Sequence, residues 1–230
     1  MMEALRILYQ DDCLVAIDKP AGMIVHPGRE PEGPEWIAMK RVRDQLDQRV
    51  YPIHRLDRPT SGVLLFALDK ATSSLAQQSF ERREVKKEYL AVVSGRTEQG
   101  WCCDSPLRKD PDAPLLDART CFERIAFQGE GATAVSLLGA VPETGRFHQI
   151  RRHLLECGFP IVGDYRYAGR ERSDELGAYF GTGDRMLLQA RVLTLRHPHT
   201  GEGLRIEAPV DGEISRCFPE WGREGKSGHP

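Results

Sequence analysis

At 230 residues, 40% of them hydrophobic and 29% charged, the chain is long enough for one large core or two lobes. Its longest apolar runs, VLLFAL and AVSLLGAV, are far too short to span a bilayer. The opening residues show no charged stretch leading into an apolar one, so neither a membrane segment nor a secretory signal is expected and the cytoplasm is the expected compartment. A formal net charge of −2 excludes a uniformly basic, nucleic-acid-coating surface and leaves only local basic patches.

ILYQDDCLVAIDKPAG predicts a short strand, an acidic turn, a β-rich run from Leu14 to Ile17 and a Lys-Pro-Ala-Gly turn, so a hairpin opens the fold. Pro27 to Pro34 reads as a loop, after which Trp36, Met39, Val42, Leu46 and Val50 recur at helical spacing. GVLLFAL predicts a strand, followed by a helix over LDKATSSLAQQSFERR with Asp69 as N-cap and Ala76 and Phe80 on one face. KKEYLAVVSG resumes as a strand. Gly100 to Ala118, rich in Pro, Asp and Gly, reads as loop and short β. Cys121 to Phe127 and Thr133 to Val141 predict an antiparallel pair across Gly129-Glu130-Gly131. RFHQIRRHLLEC then predicts a helix with Phe147, Ile150, Leu154 and Cys157 on one stripe and His148, Arg151 and Arg152 off it. Cations in the first turns of that helix oppose its dipole unless an anion sits nearby. MLLQARVLTLRHP and GLRIEAPV predict a closing β pair, and the tail after Trp221 is expected to be disordered. The fold class expected is α+β: a mainly antiparallel mixed sheet with flanking helices around a central cleft.

Six cysteines, Cys13, Cys102, Cys103, Cys121, Cys157 and Cys217, include no C-x-x-C pair, which argues against a zinc site and, in the expected compartment, for reduced thiols. Arginines and lysines gather at Arg41, Arg43 and Arg49, at Arg55 and Arg58, along RREVKK from Arg82 to Lys87, at Arg146, Arg151 and Arg152, and at Arg166, Arg170 and Arg172. Runs of this kind are commonly solvated faces, but several lie beside Gly or Pro turns or aromatics, which keeps phosphate binding open.

Four elements stand out: Lys19-Pro20 with Gly22, HRLDRPTSG from His54 to Gly62, KKEYLAVVSG, and ETGRFHQIRRH leading to PIVGD. In this order and spacing they resemble the RluA-type family of pseudouridine synthases, over about Leu5 to Pro209. HRLDRPTSGVLL and HQIRRHL resemble the tRNA-modifying C branch more closely than the ribosomal branches. The chain departs from common family usage at Asp18 and at Gln189, where relatives often carry Asn and His. The resemblance implies one catalytic domain over residues 1–222, with two intimate subdomains and no S4-type domain, acting as a monomer.

The implied reaction breaks the N1–C1′ bond of a uridine in RNA, turns the freed base and rejoins it through C5. It needs no redox step and no group donor, so no cofactor and no metal are expected. The resemblance assigns Asp57 as the catalytic carboxylate, Arg151 as its ion-pair partner and Tyr89 as the aromatic residue at the base. A carboxylate beneath a base stays ionised only if a cation compensates its burial. Arg55 matches the residue that enters the RNA stack when the base flips out, a step that costs a few kcal/mol in a stem. Arg58 and Arg146 are expected on phosphate and Leu188 against the base or in the core. His54, Thr60, Ser61, Gly62 and Gln149 are expected in support, the hydroxyls satisfying turn amides.

Other classes fit less well. An aspartyl-nucleophile phosphatase needs a second aspartate two residues after the first, where Pro59 stands. A Ser-His-Asp hydrolase lacks a G-x-S-x-G elbow. A non-catalytic RNA-binding module has no use for Asp57. The expected substrate is a stem uridine of tRNA, with a 23S rRNA uridine as the alternative.

Overall fold

The computed structural model describes residues 3–27 and 33–221. The tail after Trp221 and most of the Pro27–Pro34 loop lie outside the described residues. In chain order the strands and helices are β1 (Ile7–Gln10), β2 (Leu14–Lys19), α1 (Ala38–Leu46), β3 (Tyr51–Pro52), β4 (Ser61–Ala67), α2 (Lys70–Glu81), β5 (Lys86–Ser94), β6 (Gly100–Cys103), β7 (Thr120–Gln128), β8 (Val135–Pro142), α3 (Gln149–Glu156), α4 (Arg170–Phe180), β9 (Leu188–Arg196), β10 (Gly203–Glu207) and α5 (Gly212–Cys217). No helix among the described residues is long and apolar enough to cross a membrane.

The chain divides into two compact units, residues 1–87 with 190–209, and residues 88–189 with 210–230. In the first, the strand order is β1-β2-β4-β9, with β3 paired to β4 and β10 to β9. The pairings β1–β2, β2–β4, β3–β4 and β9–β10 are all antiparallel. Every residue of β4 is buried, which is why VLLFA reads as a continuous apolar run and not as an alternating one. Leu14 and Ala16, Val63 and Leu65, Leu193 and Leu195, and Ile206 share one cluster with Ala76, and Phe80 packs against it. Helix α2 begins as expected: the Asp69 carboxylate accepts from the Thr72 amide at 2.9 Å, a cap that contributes about 0.5–2 kcal/mol.

The second unit orders its strands β5-β8-β7-β6, and all three pairings are antiparallel. Both faces are covered. Ala91, Val93, Leu138 and Ala140 pack with Ile150 and Leu154 of α3 on one side. Leu90, Val92, Val135 and Leu137 pack with Leu176 of α4 and Ile214 of α5 on the other. Helices α4 and α5 were not anticipated from periodicity; the apolar residues that hold them are few, and the sheet face supplies the rest of the burial.

Three expectations need correction. Cys102 and Cys121 form a disulfide with an S–S distance of 1.98 Å, because the β6–β7 register sets them directly opposite each other; spacing along the chain hides that register. Helix α1 is shorter than the Trp36–Val50 pattern: Trp36 sits in a preceding 3-10 turn, and Asp47 closes the helix in the left-handed conformation at φ 49°. In α3 the stripe is displaced, since Phe147 precedes the helix and is 39% exposed while Arg151 is buried.

Candidate active site

The HRLDRPTSG segment runs from β3 into β4 within the first unit. Its anchor is Lys19, fully buried, whose Nζ donates to the carbonyls of Pro20, Met23 and Arg58 at 2.9, 2.8 and 3.3 Å. The Gly22 amide donates to the same Arg58 carbonyl at 2.8 Å, and Arg58 Nε returns a bond to the Gly22 carbonyl at 3.0 Å. The Lys-Pro-Ala-Gly turn and the HRLD loop therefore clamp each other. Arg58 has one guanidinium nitrogen in that clamp and remains exposed. Lys19 is a supporting residue that the sequence reading did not assign; a lysine at the inner end of an apolar strand, followed by Pro, is the signal that was available.

His54 stacks on Phe80 with ring centroids 5.0 Å apart, and its Nε2 accepts from the Leu65 amide at 3.1 Å. Burial, aided by the charge of Lys87, pushes the imidazole down to about 4, so it is neutral at neutral pH and able to keep accepting. Asp57 is half-buried and Arg55 exposed. The turn after Asp57 closes through the backbone, Thr60 N–H donating to the Asp57 carbonyl at 3.0 Å. The expectation that the Thr60 hydroxyl satisfies a turn amide is wrong: its Oγ1 is buried without a hydrogen-bond partner. Ser61 is buried as the first residue of β4. Gly62 has φ +104°, and a Cβ there would lie 2.1 Å from the Ala190 carbonyl oxygen. Only glycine lets β4 leave the loop this close to β9.

Tyr89, Arg146, Gln149, Arg151 and Leu188 belong to the second unit. Gln149, 4% exposed, fastens the turn before α3. Its Oε1 accepts from Thr144 Oγ1 at 2.6 Å and from the Arg146 amide at 3.0 Å. Its Nε2 donates to the Arg119 carbonyl and to Thr120 Oγ1, both at 2.9 Å. The relay continues through Thr120 to His153 Nδ1 at 3.0 Å, and His153 Nε2 meets the Ser105 carbonyl at 3.0 Å. Arg146 Nε donates to the Asp117 carbonyl at 3.1 Å.

Arg151 is held by Asp164, Nε to Oδ2 at 2.7 Å and Nη2 to Oδ1 at 2.8 Å, with side chains 6% and 2% exposed. This carboxylate answers the electrostatic problem posed by a cation-rich first turn. Asp164 is the principal residue the sequence reading missed, although PIVGD was in view and the helix called for an anion. Gly163 aims it: at φ +77°, a Cβ would fall 2.0 Å from the Arg185 carbonyl oxygen. Arg151 also lies over the Tyr167 ring, 5.0 Å from its centroid. Tyr89, opposite Ala140 in β8, is partly buried against the cluster that contains Leu188. Leu188 is 3% exposed and packs in that core. Gln189 accepts from the Asp211 amide at 3.1 Å.

In the first unit Asp11, Cys13 and His197 bring ligand-type atoms within 4.8 Å of one another. His197 Nδ1 accepts from the Thr200 amide at 3.2 Å, which leaves the proton on Nε2, 3.0 Å from Asp11 Oδ2. Asp11 also accepts from the amides of Cys13 and Leu14 at 2.8 and 2.7 Å and from Tyr9 Oη at 2.5 Å. Burial opposes ionisation there, but those bonds hold the carboxyl down at about 2. The ligand atoms are thus already engaged in a network that ties the first hairpin to the β9–β10 loop.

A mostly antiparallel sheet with the HRLD loop entering β4 and a buried-arginine helix following β8 is the architecture of an RNA pseudouridylate synthase. The same fold occurs in Human RNA Pseudouridylate Synthase Domain Containing 1, with TM-score 0.72 and 25% identity over 90% of this chain and 84% of that one. It occurs also in Human RNA Pseudouridylate Synthase Domain Containing 4, with TM-score 0.73 and 24% identity over 94% and 92%. The profile of the RNA pseudouridylate synthase family matches residues 13–156, and this chain belongs to that family. A protein named tRNA pseudouridine synthase C from Haemophilus ducreyi is 40% identical over 95% of this chain and 96% of its own length. The protein of that name from Pasteurella multocida is 39% identical over 90% and 92%.

Proposed function

We propose that this protein isomerises a uridine in a tRNA stem to pseudouridine, with Asp57 as the catalytic carboxylate. The observation that carries the reading is the 40% identity, over nearly the full length of both chains, to a protein named for that activity on tRNA. The local geometry of each unit supports it. A loop clamped through Lys19, Gly22 and Arg58 presents Asp57. Arg151 is pre-aimed by a bidentate bond to a buried carboxylate, which lowers the reorganisation needed when charge develops. In this reading Tyr89 lies against the target base and Arg55 fills the stack the base vacates. The N1–C1′ bond breaks, the base turns, the C5–C1′ bond forms, and the proton lost from C5 is balanced by one gained at N1.

The test has two arms. Pseudouridine is mapped in total RNA from cells with and without the gene; loss of one tRNA uridine signal is expected, and loss of a 23S rRNA signal instead would replace the substrate. Asp57→Asn is then assayed on the mapped RNA. The amide is nearly isosteric but carries no charge, so product formation should be abolished while melting temperature and RNA affinity stay near wild type. Single-turnover rates within about tenfold of wild type, roughly 1.4 kcal/mol of barrier, would remove Asp57 from the chemistry.

A further inference from the structure

Phe147 is predicted by periodicity to lie in the core and instead stands in front of α3, 39% exposed. A single exposed phenyl is ordinary; the way this one is held is not. His148, directly after it, has φ +53°, a left-handed conformation that is uncommon outside glycine and that histidine takes more readily than most residues. That turn stacks the imidazole under the phenyl, ring centroids 3.7 Å apart and planes 20° from parallel. The imidazole is fixed in turn by its Nδ1, 3.0 Å from Tyr167 Oη, with the rings edge to face at 5.8 Å. The exposed Arg166 lies 5.8 Å from the Phe147 centroid and 5.7 Å from that of Tyr167. Arg151 covers the same Tyr167 ring at 5.0 Å.

An unbroken set of ring contacts therefore runs from Arg151 through Tyr167 and His148 to a partly exposed phenyl with the Arg166 guanidinium over it. A partly exposed ring backed by a fixed imidazole, with an exposed guanidinium over it that can turn to a phosphate, matches a nucleobase with its phosphate: stacking is tolerant of base identity, and arginine adds both charge and cation–π attraction. We propose that Phe147, backed by His148 and flanked by Arg166, is a stacking platform for an unpaired base within a few nucleotides of the target uridine. This rests on the RNA-modifying function proposed above. Phe147 would be a positioning residue, acting on the RNA before chemistry.

The test uses wild-type protein, Phe147→Ala and Phe147→Tyr, with unmodified transcripts of the mapped RNA, measuring single-turnover pseudouridine formation against enzyme concentration. Phe147→Ala should raise the half-saturating concentration on the order of 5- to 100-fold, leave the saturating rate within about threefold, and leave the melting temperature unchanged because the ring is exposed. Phe147→Tyr should restore wild-type saturation. A second series carries one abasic nucleotide at each position flanking the uridine. At the position that stacks on Phe147, the abasic penalty seen with wild type should vanish with Phe147→Ala, the signature of a shared interaction. If wild type forms pseudouridine while Phe147→Ala saturates identically, the platform is refuted and the exposed ring serves another surface. If wild type forms none on any transcript, the functional reading itself fails and the platform falls with it.

Discussion

Replacing Asp164 by Ala removes both oxygens that hold Arg151 Nε and Nη2 at 2.7 and 2.8 Å. With the two side chains 6% and 2% exposed, solvent cannot take over. Breaking a buried pair by deleting one partner costs about 3–5 kcal/mol, and two charge-assisted hydrogen bonds at about 1.5–3 kcal/mol each give a similar figure. Arg151 keeps its contact with the Tyr167 ring, which favours the lower end, about 3 kcal/mol. For a chain of this size that is a fall of about 6–12 °C in melting temperature. Asp164→Asn, which retains the shape and one acceptor oxygen, should lie between the two. Both are read by thermal melts, together with single-turnover pseudouridine formation, which should fall in parallel if Arg151 needs this carboxylate to keep its aim. An Asp164→Ala protein melting within about 2 °C of wild type would refute the argument, because taking a bidentate carboxylate away from a buried guanidinium cannot be that inexpensive.

Gly62→Ala should destabilise severely, by more than about 3 kcal/mol, because the new methyl would meet the Ala190 carbonyl at 2.1 Å with backbone on both sides and a φ of +104°; soluble yield and melting temperature report it, and wild-type values would show that β4 shifts at little cost. His54 carries a pH effect. Its folded-state value is depressed to about 4 from 6.5, so the unfolded chain takes up the proton first; the stability is full above about 6.5 and is lost as pH falls toward 4, by about 3 kcal/mol in all. His54→Gln should shrink the loss measured by urea melts at neutral and acid pH, and an unchanged loss would place the acid sensitivity elsewhere.

Local chemistry made much of this protein legible from its sequence. The amphipathic α2 with its Asp69 cap, the hairpins, the apolar β4 and β5, and the HRLD and HQIR segments depend on residues close in the chain, where period, turn chemistry and capping act directly. The apolar character of β4 was readable; that all of it is buried was not, since burial depends on what α2, β9 and β10 bring to the face that carries Val63, Leu65 and Ala67, and on what covers the other. Register alone joined Cys102 to Cys121 across 19 residues. Helices α4 and α5 took shape against a sheet face whose apolar residues are dispersed through the sequence. The cation-rich start of α3 announced that an anion was needed, and the tertiary structure decided that it is Asp164, swung into place by a left-handed glycine. Arg151 fell off the apolar stripe of its helix and was buried nonetheless, because a bidentate carboxylate offsets a desolvation that periodicity can only read as a reason for exposure.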